Sequence, residues 1–490
     1  MNRKLISNYA FTAIYQVLVM LVPFLTIPYV SRVLGADGVG KEAYVTSIVQ
    51  LFLIFSILSI PLYGSRQIAT KKSIEDVAKE FWSIYTFQFL SSGFMLLIYA
   101  VFILFFFEDK SLYWINMFMF LAYASDISWY FIGREEIKKT VLRNTAVKLI
   151  GVLLIFMLVK NRNDLWLYIL INTSTLFIGQ LIMWIPLIKE LGFGRKKIID
   201  LKTHLKPILI LFIPQVMIQV YILVNRVVLG NVSGEIEVGY YTQANKIIRL
   251  TLGIISSVSS VMMPRMASEF SGGNKESLKK YADYSLKFIL FLTIPLTFGT
   301  IAITPNFVNW FFGPEFGAVS LVLMTMSPVI IVVGLANVFG VQILVSTNQQ
   351  GKYSLAITIG AILSLIVNIM LVFSLKSLGT TIALLSAEVT GALISMYYAR
   401  SYFNFSAHAR LALKYGFLGA MMLIIIKWFD SFLLMHGVLQ TFTDIAIGAT
   451  IYLIALLAFK DPLLWLVIGK LKIGKKVSSK ETKQVSKQSF

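Results

Sequence analysis

The residues of this chain best placed to do chemistry are a few cations embedded in apolar sequence. Lys246 and Arg249 stand three positions apart, hence on one helical face, inside a long apolar run. Arg226 closes the preceding run, directly before the turn that joins the two. Arg32 follows the first apolar run, and Lys148 lies within another. Lys and Arg pair naturally with phosphate and carboxylate, so these five mark a candidate site for an anionic group. Two carboxylates are also embedded, Asp126 in ASDISWYFIG and Glu388 in LLSAEVTGAL. A carboxyl at that depth can carry a proton or bind sodium. Gln215, Gln219, Asn245 and Asn368 could hydrogen-bond a hydroxyl-rich ligand or join helices to one another. The chain has no cysteine, which excludes thiol nucleophiles, thiolate metal sites and disulfides. Its three histidines (His204, His408, His436) lie near run ends, so neither a catalytic nor a metal centre is expected.

The elements that position these groups must be membrane spans. Of the 490 residues 57% are hydrophobic and 14% charged, whereas a soluble domain carries roughly 25% charged residues. The expected fold class is therefore an all-α polytopic membrane protein. A spanning helix needs about 20 apolar residues. Such runs fall near 8–30, 43–63, 82–106, 112–132, 143–159, 165–188, 207–229, 240–263, 285–304, 318–341, 353–375, 379–400, 411–429 and 443–459, which predicts about 14 transmembrane helices. No cleavage site follows the N-terminal MNRK, so no removable signal peptide is expected.

The distribution of cations orients the spans. Of 44 Lys and Arg residues, 34 fall in one set of alternating segments and six in the other, with four inside spans. Lys and Arg accumulate on the cytoplasmic side, so both termini are expected there. The net charge of +20 thus reflects topology rather than a nucleic-acid partner. The basic, Ser-rich tail 466–490 is expected to be disordered, near anionic lipid. Lys427 and Asp430, three apart at a span end, are expected to pair locally. The loops are too short to hide a catalytic domain, which weighs against an enzyme.

Two stretches 194 positions apart look like copies: IPYVSRVLGADGVGKEAYVTS, containing Arg32, and YILVNRVVLGNVSGEIEVGYYTQ, containing Arg226. Each runs from an apolar span through an Arg to a Gly (Gly35, Gly230). A polar turn with a second Gly (Gly40, Gly239) then enters the next span at Tyr44 or Tyr241. An internal repeat of this length is typical of transporters built from two related halves. The expected organisation is a bundle of six helices over 1–200, a second over 201–405, related by a pseudo-twofold axis, and two additional helices over 406–465. Lys246 and Arg249 have no counterpart in the first half, so the anion site is expected to be weighted toward the second.

The ordered set PYVSRVLGADGVG, SWYFIGREEIKKTVLRN, NRVVLG with VGYYTQANKIIRL, and VMMPRMAS resembles the Wzx-type oligosaccharide flippases of the multidrug/oligosaccharidyl-lipid/polysaccharide exporter superfamily. The resemblance covers roughly residues 5 to 400. It implies a bacterial plasma-membrane transporter that flips undecaprenyl-pyrophosphate-linked oligosaccharide outward by alternating access, for capsule, O-antigen or teichoic acid. It also implies that Arg226, Lys246, Arg249, Arg32 and Lys148 meet the pyrophosphate. Asp126 and Glu388 would couple the cycle to a proton or sodium gradient, with no cofactor. The partners are that lipid-linked substrate and membrane lipids, and a monomer is expected. Many relatives carry an acidic residue before the LG of span 7, where this chain has Asn225 and Arg226. A drug/cation antiporter of the same superfamily is the alternative, although organic cations favour an acidic, aromatic cavity and the embedded cations here outnumber the carboxylates.

Overall fold

Among the described residues of the computed structural model, ten helical stretches are long and apolar enough to cross a membrane. The structure describes residues 3–192, 201–432 and 436–465, and within these all regular structure is helical. The predicted tail 466–490 lies outside the described residues. The helices are α1 (Arg3–Ile57), α2 (Ile60–Thr70), α3 (Ile74–Phe106), α4 (Ser111–Ile115), α5 (Met117–Ala124), α6 (Ser128–Gly133), α7 (Ile137–Leu158) and α8 (Leu165–Leu191). They continue with α9 (Leu201–Ser233), α10 (Glu235–Ser271), α11 (Lys275–Phe312), α12 (Val319–Met326), α13 (Val329–Ala336), α14 (Gln350–Ala399), α15 (Phe405–Asp430) and α16 (Val438–Ala458). The fourteen predicted runs fall largely on these helices, although 43–63 crosses the break between α1 and α2 at Leu58 and Ser59, and 318–341 is shared among α12, α13 and the π-helical turn that follows. Helices α1 and α14 each carry two runs, bent where Gly35 (φ 71°) and Lys376 (φ 51°) leave helical geometry.

The structure departs from the sequence expectation in two ways. Several helices outrun the membrane: α10 and α11 fill most of the predicted loop 264–284 and leave only a turn at Gly273 (φ 73°). The fourth run, 112–132, is not one helix but three short ones. Breaks at this depth must satisfy their own backbone groups. The Gln88 amide donates to the carbonyls of Tyr123 (2.8 Å) and Asp126 (2.9 Å), and the Trp184 indole donates to Ser125 O at 3.0 Å. Asp126 Oδ1 then accepts the Ser128 N–H at 2.8 Å, which starts α6.

The chain groups into two compact units. The first contains residues up to 247 with 311–325 and 357–387, and the second contains 248–310, 326–356 and the chain from 388. The first is cored near its predicted cytoplasmic end by Phe81, Trp129 and Tyr130, all at most 1% exposed, with Trp82 and Trp184 packed against them. In the second, Gln342 on a π-helical turn (Asn337–Val345) joins Ser285 and Ser259. Helix α15 packs on α16 there, and Gly419 admits the Phe298 ring. The expected Lys427–Asp430 pair forms at 3.5 Å.

At the predicted outer end of the first unit the two repeats meet each other. A Cβ on Gly40 would stand 2.1 Å from the Glu235 carbonyl oxygen, and one on Gly239 would stand 3.1 Å from Gly40 Cα. Likewise Gly230 lies flat against the Tyr44 ring, whose hydroxyl donates to Asn231 Oδ1 at 2.6 Å. Glu315 ties further loops to this junction. One carboxylate oxygen pairs with Arg162 and the other accepts the Ala36 N–H at 3.1 Å, while Tyr240 donates to the Glu315 carbonyl at 3.2 Å. The Ala36 amide and Arg162 together hold the Glu315 carboxyl below its ordinary range. Burial, by contrast, pushes Glu235 up.

Candidate anion-binding site

Helices of the first unit enclose a cavity of about 660 Å³. Thr26 of α1, Asp126 at the break before α6, Trp129 of α6, Arg143 and Lys148 of α7, and Gln180 of α8 all line it. Because α7 starts at Ile137, Arg143 sits inside the helix and is only 8% exposed. Its Nη1 donates to Gln180 Oε1 and its Nη2 to Ser128 Oγ at 2.8 Å. Gly179 makes this arrangement possible, since a Cβ there would stand 2.5 Å from Val147 and 3.4 Å from Arg143 Cδ. Lys148, further along the same helix, is half-buried and forms no ion pair among the described residues. A charged group at membrane depth costs roughly 2.5–3.5 kcal/mol, which an anionic ligand would offset.

A smaller space of about 30 Å³ adjoins the cavity, for Thr26 and Tyr168 line both. Glu42, Gln243 and Lys246 complete its wall. Gln243 donates to Ser31 Oγ at 2.7 Å, a buried bond that holds α10 against α1 and so brings Lys246 to the α1 side. The charges acting on Lys246 are Glu42 and Arg226. Arg226 in turn lies 6.0 Å from the centre of the Tyr241 ring.

The expected site residues therefore separate into groups. Arg226 and Lys246 come together, and Lys148 and Asp126 share the adjoining cavity. Arg32 is exposed and packs beside Gly313 near the loop junction. Arg249 is exposed and Glu388 half-buried, both in the second unit, where Glu388 acts electrostatically on Tyr353. Sequence reasoning missed Arg143, Gln180 and Glu42. The first was counted as a loop cation, and its signal was the helix-compatible sequence IKKTVLRN ahead of the apolar run. Asn225 is 1% exposed in an uncharged network: its amide donates to Ser364 at 2.9 Å, Asn368 donates to its carbonyl at 3.3 Å, and Thr380 donates to Asn368 at 2.8 Å.

This arrangement can bind but has little means to make or break bonds. Among the described residues no three His, Cys, Asp or Glu side chains cluster as a metal site. Arg143, Lys148, Lys246 and Arg226 stand against the two carboxylates Asp126 and Glu42. A multiply charged anion bearing hydroxyl groups matches that balance of cations and amides.

Comparison with known proteins agrees with the fold. The polysaccharide biosynthesis protein family matches residues 5–270, and the lipid II flippase MurJ family matches residues 140–448. The putative O-antigen transporter of Escherichia coli (strain K12) is 23% identical over 392 residues, covering 78% of this chain and 93% of that protein. Lipid II flippase MurJ of Bacillus subtilis (strain 168) is 26% identical over 143 residues, 28% of this chain and 26% of its own length. Among solved structures, lipid II flippase MurJ in an inward closed conformation superposes with a TM-score of 0.71 at 20% identity, covering 94% of this chain and 100% of that one. An inward-facing multidrug resistance MATE family transporter of the MOP superfamily gives 0.54 at 14% identity, with 80% and 98% covered. With its all-α fold and its spans, the chain belongs to the polysaccharide biosynthesis protein family and is a multi-pass membrane transporter of the flippase class rather than an enzyme.

Proposed function

We propose that this transporter carries a polyprenyl-pyrophosphate-linked oligosaccharide, of the undecaprenyl type, from the cytoplasmic to the outer leaflet by alternating access. The observation that carries the reading is the pair of adjoining spaces, with Lys148 and Arg143 in one and Lys246 in the other. Arg226 acts electrostatically on Lys246. In this reading the pyrophosphate meets Lys246, Lys148 and Arg226, with Arg32 and Arg249 on its path. The amides of Asn144, Asn172 and Gln180 meet sugar hydroxyls. Both termini face the cytoplasm, the halves 1–200 and 201–405 rock as repeats, and the chain works as a monomer. A proton or sodium gradient drives the cycle through Glu388 or Asp126.

Gln at Lys148, Lys246 and Arg226 tests the reading. Surface polymer should disappear in the triple variant while protein levels in the membrane stay normal. Full polymer display by that variant would end the proposal. Loss of gradient dependence in Glu388→Gln proteoliposomes, with Asp126→Asn beside it, would assign the coupling carboxylate. Unchanged dependence in both would remove these two residues from the cycle.

A further inference from the structure

Three helix faces of the first unit form an apolar trough of about 540 Å³ that the transport reading does not use. Tyr44, Ile48, Leu51, Phe52 and Phe55 line it from α1. Helix α3 adds Met95, Phe102 and Phe106, and α9 adds Val220, Val227 and Asn231. On every helix the lining begins and ends eleven residues apart, so the trough runs about 16 Å along the bundle. That is about half the thickness of a bilayer core of roughly 30 Å. Its deep end is closed by the Phe55–Phe212 edge contact at 5.6 Å. Its flank opens to lipid, where Phe106 is 71% and Phe55 40% exposed.

The mouth is charged in a particular pattern. Each wall leads there into a polar residue: Tyr44 follows Lys41, Phe107 precedes Asp109, and Asn231 precedes Glu235. Lys41 bonds Asp37 at 3.2 Å and lies within the field of Glu235 and Asp109. One ammonium among three carboxylates complements a headgroup that carries one phosphate and one amine. An anionic headgroup without the amine would meet the carboxylates unpaired.

We propose that this trough binds one hydrocarbon chain of a phospholipid with an amine-bearing zwitterionic headgroup, its phosphate toward Lys41 and its ammonium toward Asp37, Asp109 and Glu235. The medium around the trough is hydrocarbon, so a lipid chain is the available occupant, and the mouth selects which lipid. Because Tyr44, Asn231 and Glu235 also belong to the loop junction, the bound lipid braces the junction from the membrane side. The proposal does not depend on the transported substrate.

The test uses the full chain reconstituted in vesicles holding equal amounts of phosphatidylethanolamine and phosphatidylglycerol. The protein is then extracted in mild detergent, and retained lipid is counted by native mass spectrometry. The wild type should keep one phosphatidylethanolamine in preference to phosphatidylglycerol by about fivefold, the scale of one charge contact at a membrane surface. The D109N/E235Q variant leaves the trough intact and should lose that preference. Val227→Trp fills the trough and should retain neither lipid above background. Equal or greater retention of phosphatidylglycerol by the wild type, or an unchanged preference in D109N/E235Q, overturns the proposal. Should Val227→Trp not fold, the charge variant decides alone.

Discussion

Replacing Gly40 by Ala adds one methyl group at the point where the two repeats cross. That methyl would stand 2.1 Å from the Glu235 carbonyl oxygen and 2.6 Å from its carbon. Both are backbone atoms, so neither can rotate away, and the loops must part by about 1 Å to restore ordinary contact. Gly40 sits within α1, where Ala would otherwise favour the helix by roughly 0.5–1 kcal/mol. Overpacking of this kind costs roughly 1–3 kcal/mol. The net penalty on the joined junction is then about 1–2 kcal/mol, a five- to thirtyfold rise in the population of parted loops. Val238, fully buried beside Gly239, reports on it. Since the chain has no cysteine of its own, Val238→Cys places a single thiol there. Its modification rate by a maleimide should rise five- to thirtyfold when Gly40→Ala is added. Gly93→Ala, whose Cβ would meet nothing within 4 Å, serves as the control and should leave the rate unchanged. An unaltered rate in the Gly40 variant would refute the claim that this crossing holds the junction.

Two further outcomes follow from groups already described. Gln88→Leu would strip the amide donor from the Asp126 carbonyl at the break before α6 and the acceptor from the Trp129 indole, which donates to Gln88 Oε1 at 3.0 Å, while the Tyr123 carbonyl keeps the Asp126 N–H at 3.3 Å. Each orphaned group costs about 1–3 kcal/mol, so a drop in melting temperature of several degrees is expected, and a melting curve that does not move refutes it. Glu315 has a depressed pKa, so its contribution is complete above the ordinary carboxylate range and lost as pH falls through the lower folded value. The Val238→Cys thiol should accordingly become more reactive below about pH 4.5 once intrinsic thiolate chemistry is corrected for. Glu315→Gln should remove that dependence.

The sequence revealed most about residues whose placement is a matter of partition between lipid and water. The apolar runs all fall on helical structure, most of them unbroken, and the repeat around Arg32 and Arg226 pointed to the two loops that meet through Gly40 and Gly239. Hydropathy reports depth, not backbone hydrogen bonding. The run 112–132 therefore read as one helix, although Ser125, Asp126 and Ile127 break it under cover of Gln88 and Trp184. The same blindness left Arg143 at the very edge of the run 143–159 and tallied it with the cytoplasmic cations, because a helix that projects past the hydrocarbon can carry cations without losing its ladder. Lys246 was legible as an embedded charge, but its neighbour Glu42 was not. That pairing depends on a contact between α1 and α10, and nothing local in either segment announces it.

Under the proposed function, the excess of cations over carboxylates around the cavity would give the membrane potential a handle on the cycle. Moving one elementary charge across the membrane potential is worth about 2.3 kcal/mol per 100 mV. On the proposed orientation, with the interior negative, an empty site bearing Arg143, Lys148, Lys246 and Arg226 against Asp126 and Glu42 is drawn toward the cytoplasm. Under the proposed function a bound pyrophosphate would cancel that surplus, and the loaded site would turn outward with little electrical work. The voltage would thus resist an idle outward swing and assist the return, making cargo the condition for turning outward.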